Sequence, residues 1–168
     1  MSKFQEITPS DLKKTPFEMI GKDWMLVTAG TPEKVNTMTA SWGGLGVMWG
    51  KDVAFAVIRP QRYTKEFIDR EETLSLTFYN DSYKEKLGIL GSVSGRDRDK
   101  IKECGLTTAF DGSTPYFEEA DTVLICRKKF AQPFTKDAIL DPEILTKWYP
   151  GEDYHTLYIL EIEKVLVK

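Results

Sequence analysis

Short β-type segments that are not regularly interleaved with helices constrain the fold of this 168-residue chain more than any other feature. Strands are predicted over residues 24–29, 36–42 and 53–58, all before a first internal helix that begins at Thr64, and then over 74–79, 122–130 and 157–167. A parallel sheet needs crossover connections between its strands, and this order does not supply them. The pattern therefore predicts a mainly β fold with accessory helices, an antiparallel barrel of six to seven strands.

No repeat, low-complexity tract or linker divides the chain, so residues 1–168 are predicted to form a single domain. The 23 Lys and Arg residues against 26 Asp and Glu residues give a net charge of -3, which argues against a nucleic-acid partner. No apolar run approaches the ~20 residues of a membrane helix, and the first residues lack the apolar core of a secretory signal. We therefore expect a cytoplasmic protein without a membrane partner.

Several familiar catalytic and metal-binding patterns are missing from the sequence. The chain has two cysteines, Cys104 and Cys126, and one histidine, so no His/Cys zinc site is expected and no metal is predicted. The glycine-rich run at residues 44–49 has Trp49 where a dinucleotide-binding turn needs glycine, and residues 91–95 have Val93 where a serine hydrolase needs serine. These classes of enzyme therefore lose support.

Residues 36–44 read N-T-M-T-A-S-W-G-G and form a predicted strand that ends in small residues, hydroxyls and paired glycines. Small side chains let a flat ligand lie close to backbone N–H groups, and Asn36, Thr39 and Ser41 offer side-chain hydrogen bonds. The pattern indicates a shelf for a flat ring. The alternative is a strand that runs into a glycine turn.

Residues 59–65, R-P-Q-R-Y-T-K, join a predicted strand to a predicted helix. Thr64 is the predicted N-cap, and Arg59 and Arg62 stand just before a helix N-terminus, which exposes unpaired N–H groups. This pattern is typical of a phosphate site, and its alternative is a solvated basic turn with a capping threonine. Together with the ring shelf, it describes the two ends of a flavin mononucleotide (FMN).

Four separated motifs also occur in the order that is typical of one family. They are N-T-M-T-A-S-W-G-G, then I-R-P-Q-R-Y-T-K-E-F-I, then S-G-R-D-x-D-K with G-L-T after it, and finally W-Y-P with D-Y-H. Over roughly residues 20–168 the chain resembles the flavin reductase-like, flavoredoxin-type proteins. The resemblance implies an FMN-binding split β-barrel that forms a homodimer, with FMN in a groove near the subunit interface.

The resemblance also implies a set of cofactor-binding residues, in which residues 36–42 contact the ring and ribityl chain and residues 59–64 surround the phosphate. The predicted FMN-binding residues are Asn36, Thr39, Ala40, Ser41, Trp42, Arg59, Arg62, Tyr63, Thr64, Ser94, Gly95, Arg96, Asp97 and Tyr149. The last of these is expected at the ring or at the dimer seam, because large aromatic side chains supply contact area. Core packing is its alternative role.

Ala40, Arg96 and His155 are the candidate catalytic residues. A backbone hydrogen bond to the flavin N5 and a cation such as Arg96 would assist hydride transfer, with Arg96 at the N1/O2 edge or at the phosphate of the same or the neighbouring subunit. The alternative for the S-G-R-D motif is a capped helix start. His155 matches a histidine that relatives place near the flavin or nicotinamide, although Tyr154 and Leu160 differ from the family pattern, and its alternative is a structural role.

The implied function is that of an NAD(P)H-dependent flavin reductase, in which NADH or NADPH reduces bound FMN and electrons pass to free flavin, oxygen or an acceptor protein. Hydride transfer itself needs no general acid or base, so a chain with a single histidine and no evident catalytic triad can still be an enzyme. A non-catalytic FMN electron carrier that acts between protein partners is the alternative. A barrel that binds single-stranded nucleic acid through Arg59, Arg62 and Tyr63 is a third, which the acidic net charge disfavours.

Overall fold

A computed structural model describes residues 4–168 of the chain. Within this part of the chain, ten strands follow one another, and the longest two lie near the C-terminus. They are β1 (Gln5–Ile7), β2 (Met25–Thr31), β3 (Lys34–Ala40), β4 (Gly43–Met48), β5 (Lys51–Ile58), β6 (Thr73–Phe78), β7 (Thr108–Asp111), β8 (Thr114–Phe117), β9 (Thr122–Pro133) and β10 (Thr156–Val167).

The helices are short and lie at the ends and outside of the sheet. The α-helices are α1 (Tyr63–Arg70), α2 (Lys84–Ser92), α3 (Lys100–Glu103) and α4 (Pro142–Trp148). Single 3₁₀ turns cover Pro9–Asp11, Asp81–Tyr83 and Lys136–Ala138, and Phe17–Lys22 forms a π-helix. No helix in the described residues is both long and apolar enough to cross a membrane.

Eight of these strands form one antiparallel sheet in the order β3-β2-β6-β9-β10-β5-β4, with β1 added beside β10. The β7-β8 hairpin forms a separate two-stranded sheet. The register of β9 against β10 shifts between Ile159 and Leu160 and again between Ile162 and Lys164, and such irregularities increase strand curvature. The first and last strands in this sheet order, β3 and β4, are consecutive in the chain. The fold is the antiparallel split barrel that the sequence predicts, with one strand more.

Two apolar cores lie on opposite faces of this sheet. Met25 and Val27 of β2 belong to the inner core, while Leu26 between them belongs to a second core with Leu87 and Leu90 of α2. Alternate residues of a strand face opposite sides, so β2 is buried on both faces. This explains why apolar residues occur at consecutive positions of the strand, Met25 to Val27, instead of alternating with polar ones.

The strand pattern before α1 differs from the prediction, because five strands precede this helix instead of three. Strand β1 was not anticipated, and β4 was read as a turn because of its glycines. Gly43 has a φ of +149°, and a Cβ atom there would lie 2.2 Å from the carbonyl oxygen of Phe55 on β5. The glycine is thus required by close strand pairing, and it does not end the sheet.

Three predicted helix starts also differ from the structure. Helix α1 begins at Tyr63, so Arg62 is its N-cap and Thr64 lies in the first turn. The S-x-x-E pattern of Ser82 and Glu85 predicts a capping box, but the cap is Asn80, whose side chain accepts a hydrogen bond from the Ser82 N–H of a 3₁₀ turn. The sequence also predicts a helix from Asp97 to Cys104, but this helix begins at Lys100, because the side chain of Asp99 caps it.

Candidate functional site

Three adjoining cavities follow one another along β3. The aromatic cavity, about 400 Å³, is lined by residues that include Thr39, Ala40, Ser41, Trp42, Trp148 and His155. The small pocket, about 100 Å³, is lined by Asn36, Arg62, Tyr63, Thr64, Ser94 and Lys100 among others. The outer cavity, about 460 Å³, has Gly95, Arg96 and Asp97 in its wall.

The cavities adjoin one another and share wall residues. Met38 and Arg62 line both the aromatic cavity and the small pocket. Asn36 and Lys100 line both the small pocket and the outer cavity. The aromatic cavity and the small pocket are thus close enough for one ligand with a flat body and an anionic tail to contact residues of both.

The small pocket contains two cations that have no carboxylate partner. Nη1 of Arg62 donates to the Gly91 carbonyl at 2.9 Å, and Nζ of Lys100, 3% exposed, donates to the carbonyls of Leu90 and Val93 at 2.8 Å each. None of the ion pairs among residues 4–168 involves either side chain.

Burial and mutual repulsion act on these two charges together. Burial, and secondarily the charge of Arg62, lowers the pKa of Lys100 to about 8, and burial lowers the pKa of Arg62. Buried charges without a counter-charge are unfavourable unless something compensates them. The pocket therefore has the electrostatics of an anion site, and its volume suits a group of a few atoms.

A hydrogen bond between β3 and α1 shapes the same pocket. Nδ2 of Asn36 donates to Oγ1 of Thr64 at 2.9 Å, and both side chains are buried. The threonine hydroxyl accepts this bond, so its own O–H stays available as a donor in the pocket wall. Gly95 lies against the same asparagine. A Cβ atom at this position would be 2.0 Å from Oδ1 of Asn36, so the close contact requires glycine.

The aromatic cavity is bounded by stacked and crossed rings. Trp42 meets Trp148 edge to face with ring centroids 4.8 Å apart, and its centroid is 5.1 Å from that of His155. The hydroxyl of Thr39 donates to the Leu87 carbonyl at 2.5 Å, which ties β3 to α2 and occupies that donor. The ring shelf predicted at residues 39–42 therefore does form one wall of a cavity.

His155 is a neutral, buried member of this wall. Its Nδ1 lies 2.7 Å from the hydroxyl oxygen of Tyr149. Burial, together with the positive charge of Arg59, lowers the pKa of His155 to about 4. Tyr149 itself does not line the aromatic cavity but lies behind His155, so its position differs from the predicted contact with the cofactor.

Arg59 lies at a different end of the site from the one predicted. Its Nη1 pairs with Oδ2 of Asp153 at 2.9 Å, and its Nη2 donates to the Trp148 carbonyl at 2.9 Å. These contacts hold the guanidinium in the wall of the aromatic cavity and away from the small pocket. Of the two arginines in the R-P-Q-R segment, only Arg62 lines the predicted phosphate end.

Arg96 is also separated from the predicted ring edge. It pairs with Glu66 of α1 and lies over the ring of Tyr63, with Cζ 4.4 Å from the ring centroid. It lines the outer cavity with Gly95 and Asp97, whereas Ala40 and His155 line the aromatic cavity. Within the chain, the three predicted catalytic residues therefore do not line one cavity, and Arg96 pairs with Glu66 instead.

Lys100 is the residue of the small pocket that sequence reasoning missed. It is the lysine of the same S-G-R-D-x-D-K motif from which Ser94 to Asp97 were selected. Alternating Asp and Lys residues are typical of a solvated helix face. The side chain of Lys100 is nevertheless buried and reaches the end of α2. The sequence signal that could have identified Lys100 is the motif itself, because the lysine at its end supplies a positive charge to the small pocket.

The fold and the site define a split-barrel protein with an anion pocket beside an aromatic cavity. The flavin reductase like domain matches residues 19–168, so the chain belongs to the flavin reductase-like family. No curated protein matches it.

Several solved structures share the fold at low sequence identity. The FMN-binding domain of a flavin reductases-like enzyme from Shewanella baltica is 17% identical, with a TM-score of 0.70 over 99% of this chain and 78% of that one. Flavoredoxin of Desulfovibrio vulgaris (Miyazaki F) is 18% identical, with a TM-score of 0.69 over 96% and 76%. The styrene monooxygenase flavin reductase of Pseudomonas putida is 13% identical, with a TM-score of 0.62 over 85% and 77%. These likenesses establish the fold.

Proposed function

We propose that the chain binds FMN and acts as an NAD(P)H-dependent flavin reductase. The observation that carries this proposal is the pair of buried cations without a carboxylate partner, Arg62 and Lys100, beside a cavity lined by Trp42, Trp148 and His155. The donor set fits the cofactor, since guanidinium, ammonium and hydroxyl groups suit a phosphate and a cavity of about 400 Å³ suits a flat ring.

In this assignment the small pocket holds the phosphate and the aromatic cavity holds the ring. Arg62, Thr64 and Lys100 would contact the phosphate oxygens, while residues 39–42 would face the ring with their backbone. Bound FMN would supply a ring system that accepts a hydride from NADH or NADPH and passes electrons on to free flavin, oxygen or an acceptor protein.

The chain's own residues have modest tasks in such a reaction. The walls at Trp42 and Trp148 limit where two flat rings can lie, which favours a reactive approach. The cations that line the aromatic cavity are Arg59 and Arg62, and because Arg62 is assigned to the phosphate, Arg59 would take the charge-stabilising role at the ring that was predicted for Arg96. His155 is neutral and is not suited to proton transfer near pH 7.

Anaerobic reduction of the reconstituted protein tests this function. The purified chain is loaded with FMN, freed of excess cofactor and mixed with NADH or with NADPH while the flavin absorbance is recorded. We expect rapid bleaching with at least one donor. Bound FMN that neither donor bleaches would support the non-catalytic electron carrier instead, and a protein that retains no FMN would overturn both assignments.

We also propose that two copies of the chain associate beside this cavity. Val47 on the edge strand β4 is 70% exposed and Trp49 in the turn that follows it is 58% exposed, and Trp42 and Trp148, which line the aromatic cavity, are also exposed. Apolar surface of this kind marks interaction sites in folded proteins. Light scattering on the purified chain is expected to give the mass of a dimer, and Val47→Lys is expected to shift the mass toward that of one chain.

A further inference from the structure

Tyr149 and His155 form a hydrogen-bonded pair whose geometry bears on the tautomer of the imidazole. Nδ1 of His155 lies 2.7 Å from the hydroxyl of Tyr149, and the two side chains are 7% and 5% exposed. His155 lines the aromatic cavity and Tyr149 does not. The hydrogen bond is therefore made on the side of the imidazole that faces away from the cavity.

The other ring nitrogen is the one that solvent reaches. Nε2 of His155 has no hydrogen-bond partner among residues 4–168, where the Nδ1 contact to Tyr149 is the side chain's one hydrogen bond. No buried side-chain nitrogen or oxygen in the described residues lacks a partner. Nε2 is thus not sealed in the interior, and the cavity that His155 lines is its opening.

The direction of the hydrogen bond follows from the partners of the tyrosine hydroxyl. Among residues 4–168 this buried hydroxyl has no hydrogen-bond partner other than Nδ1 of His155. Because no other acceptor is within reach, the hydroxyl proton points at Nδ1, and a hydroxyl that only accepted would leave a buried O–H unsatisfied. A neutral imidazole carries one proton, so an Nδ1 that accepts leaves that proton on Nε2.

The charges around His155 keep the imidazole ring neutral. The guanidinium of Arg59 lies over the ring of Tyr149, with Cζ 5.1 Å from the centroid, and disfavours an imidazolium beside it. The carboxylate of Asp153 acts in the opposite direction, but it is paired with Arg59 at 2.9 Å. The rings of Trp42 and Phe134, with centroids 5.1 and 6.4 Å from that of His155, add no charge.

We propose that Tyr149 is a positioning residue that holds His155 as the Nε2–H tautomer, so that a neutral N–H donor faces the aromatic cavity. This donor would meet a carbonyl oxygen or ring nitrogen of a flavin or nicotinamide, and that part of the inference rests on the proposed function.

Nitrogen NMR of the single histidine tests the inference directly. The chain contains one histidine, so a ¹⁵N-histidine-labelled sample gives one pair of ring nitrogen signals in a long-range ¹H–¹⁵N correlation spectrum. In the protein without added flavin at pH 7, we expect a protonated Nε2 and an unprotonated Nδ1, unchanged at pH 6. A protonated Nδ1, or an imidazolium at pH 7, would overturn the proposal.

Two variants separate positioning from packing. Tyr149→Phe keeps the ring and removes the hydroxyl, so the two nitrogen signals are expected to move toward each other as both tautomers become populated. Tyr154→Phe is the matched control, because Tyr154 packs on Tyr149 with centroids 5.1 Å apart and is expected to leave the tautomer unchanged. A folded Tyr149→Phe protein with the wild-type pattern would contradict the proposal, and the wild-type spectrum decides the tautomer even where this variant does not fold.

Addition of FMN then tests the donor role separately from the function. With FMN binding followed by calorimetry, the Nε2 signal is expected to shift on saturation, and bound FMN without any shift would overturn the donor role. A protein that does not bind FMN would instead contradict the proposed function. The spectrum of the free protein would still show whether Tyr149 fixes the tautomer.

Discussion

The outer cavity and the small pocket lie side by side and both carry basic residues, yet the partners of those residues differ. In the outer cavity, Arg96 pairs with Glu66 and Arg98 pairs with Glu103, and all four side chains are at least 40% exposed. Such exposed pairs contribute roughly 0–1 kcal/mol and leave little unbalanced charge. The two arginines of the outer cavity therefore do not by themselves give it the electrostatics of an anion site, although Lys100 lines this cavity as well as the small pocket.

The small pocket shows the opposite arrangement. Arg62 and Lys100 donate to backbone carbonyls, and neither takes part in an ion pair among residues 4–168. Carbonyl oxygens satisfy the N–H donors but do not neutralise the charge. Burial and the lack of a carboxylate partner, more than the number of basic residues, therefore indicate where this chain would bind a phosphate.

Removal of the lysine charge from the small pocket should have the largest effect. Hydrogen bonds to charged groups contribute about 1.5–3 kcal/mol, so Lys100→Met is expected to weaken FMN binding about 10- to 150-fold, measured by calorimetric titration. Riboflavin lacks the phosphate, and its affinity should change less than about twofold on the same scale. An equal loss for both ligands would show that the substitution disturbs the site as a whole.

The effect of pH on FMN binding should be smaller than that of Lys100→Met. Like that substitution, pH should affect the affinity for FMN more than the affinity for riboflavin. The pKa of Lys100 is lowered to about 8 in the free protein, and a bound phosphate favours the charged form. Free Lys100 is mostly charged at pH 7 and mostly neutral at pH 9, so FMN affinity is expected to fall about tenfold across this range. Riboflavin titrations at the same pH values are the control. A flat FMN profile would contradict the phosphate role of Lys100.

The sequence predicts well what depends on local pattern. The apolar run at residues 53–58 lies within β5 (Lys51–Ile58), because a strand's side-chain alternation and β-propensity are local properties. Strand β4 escaped prediction because its glycines have meaning only through the pairing with β5. Likewise, Thr64 has the residue type of an N-cap, but its hydroxyl accepts from Asn36, which is distant in the chain.

The candidate site divides in the same way. Arg62 and Thr64 could be located from the sequence because they flank the start of one helix. The burial of Lys100 could not, since it depends on the carbonyls of Leu90 and Val93 at the end of another helix. The ion pair of Arg96 with Glu66 joins two motifs that the sequence keeps thirty positions apart. Such long-range partners decide which of several similar cations remains without a counter-charge.

Replacement of the arginine in the outer cavity should have the smallest effect and is the sharpest check on the comparison. Arg96→Met removes an exposed pair, so FMN affinity is expected to change less than about fivefold, in line with the roughly 0–1 kcal/mol of such pairs. The substitution conserves length as Lys100→Met does, and both side chains belong to the same short motif. A loss as large as that for Lys100→Met would mean that the phosphate lies against the outer cavity, and the distinction between paired and unpaired cations would then fail as a guide to this site.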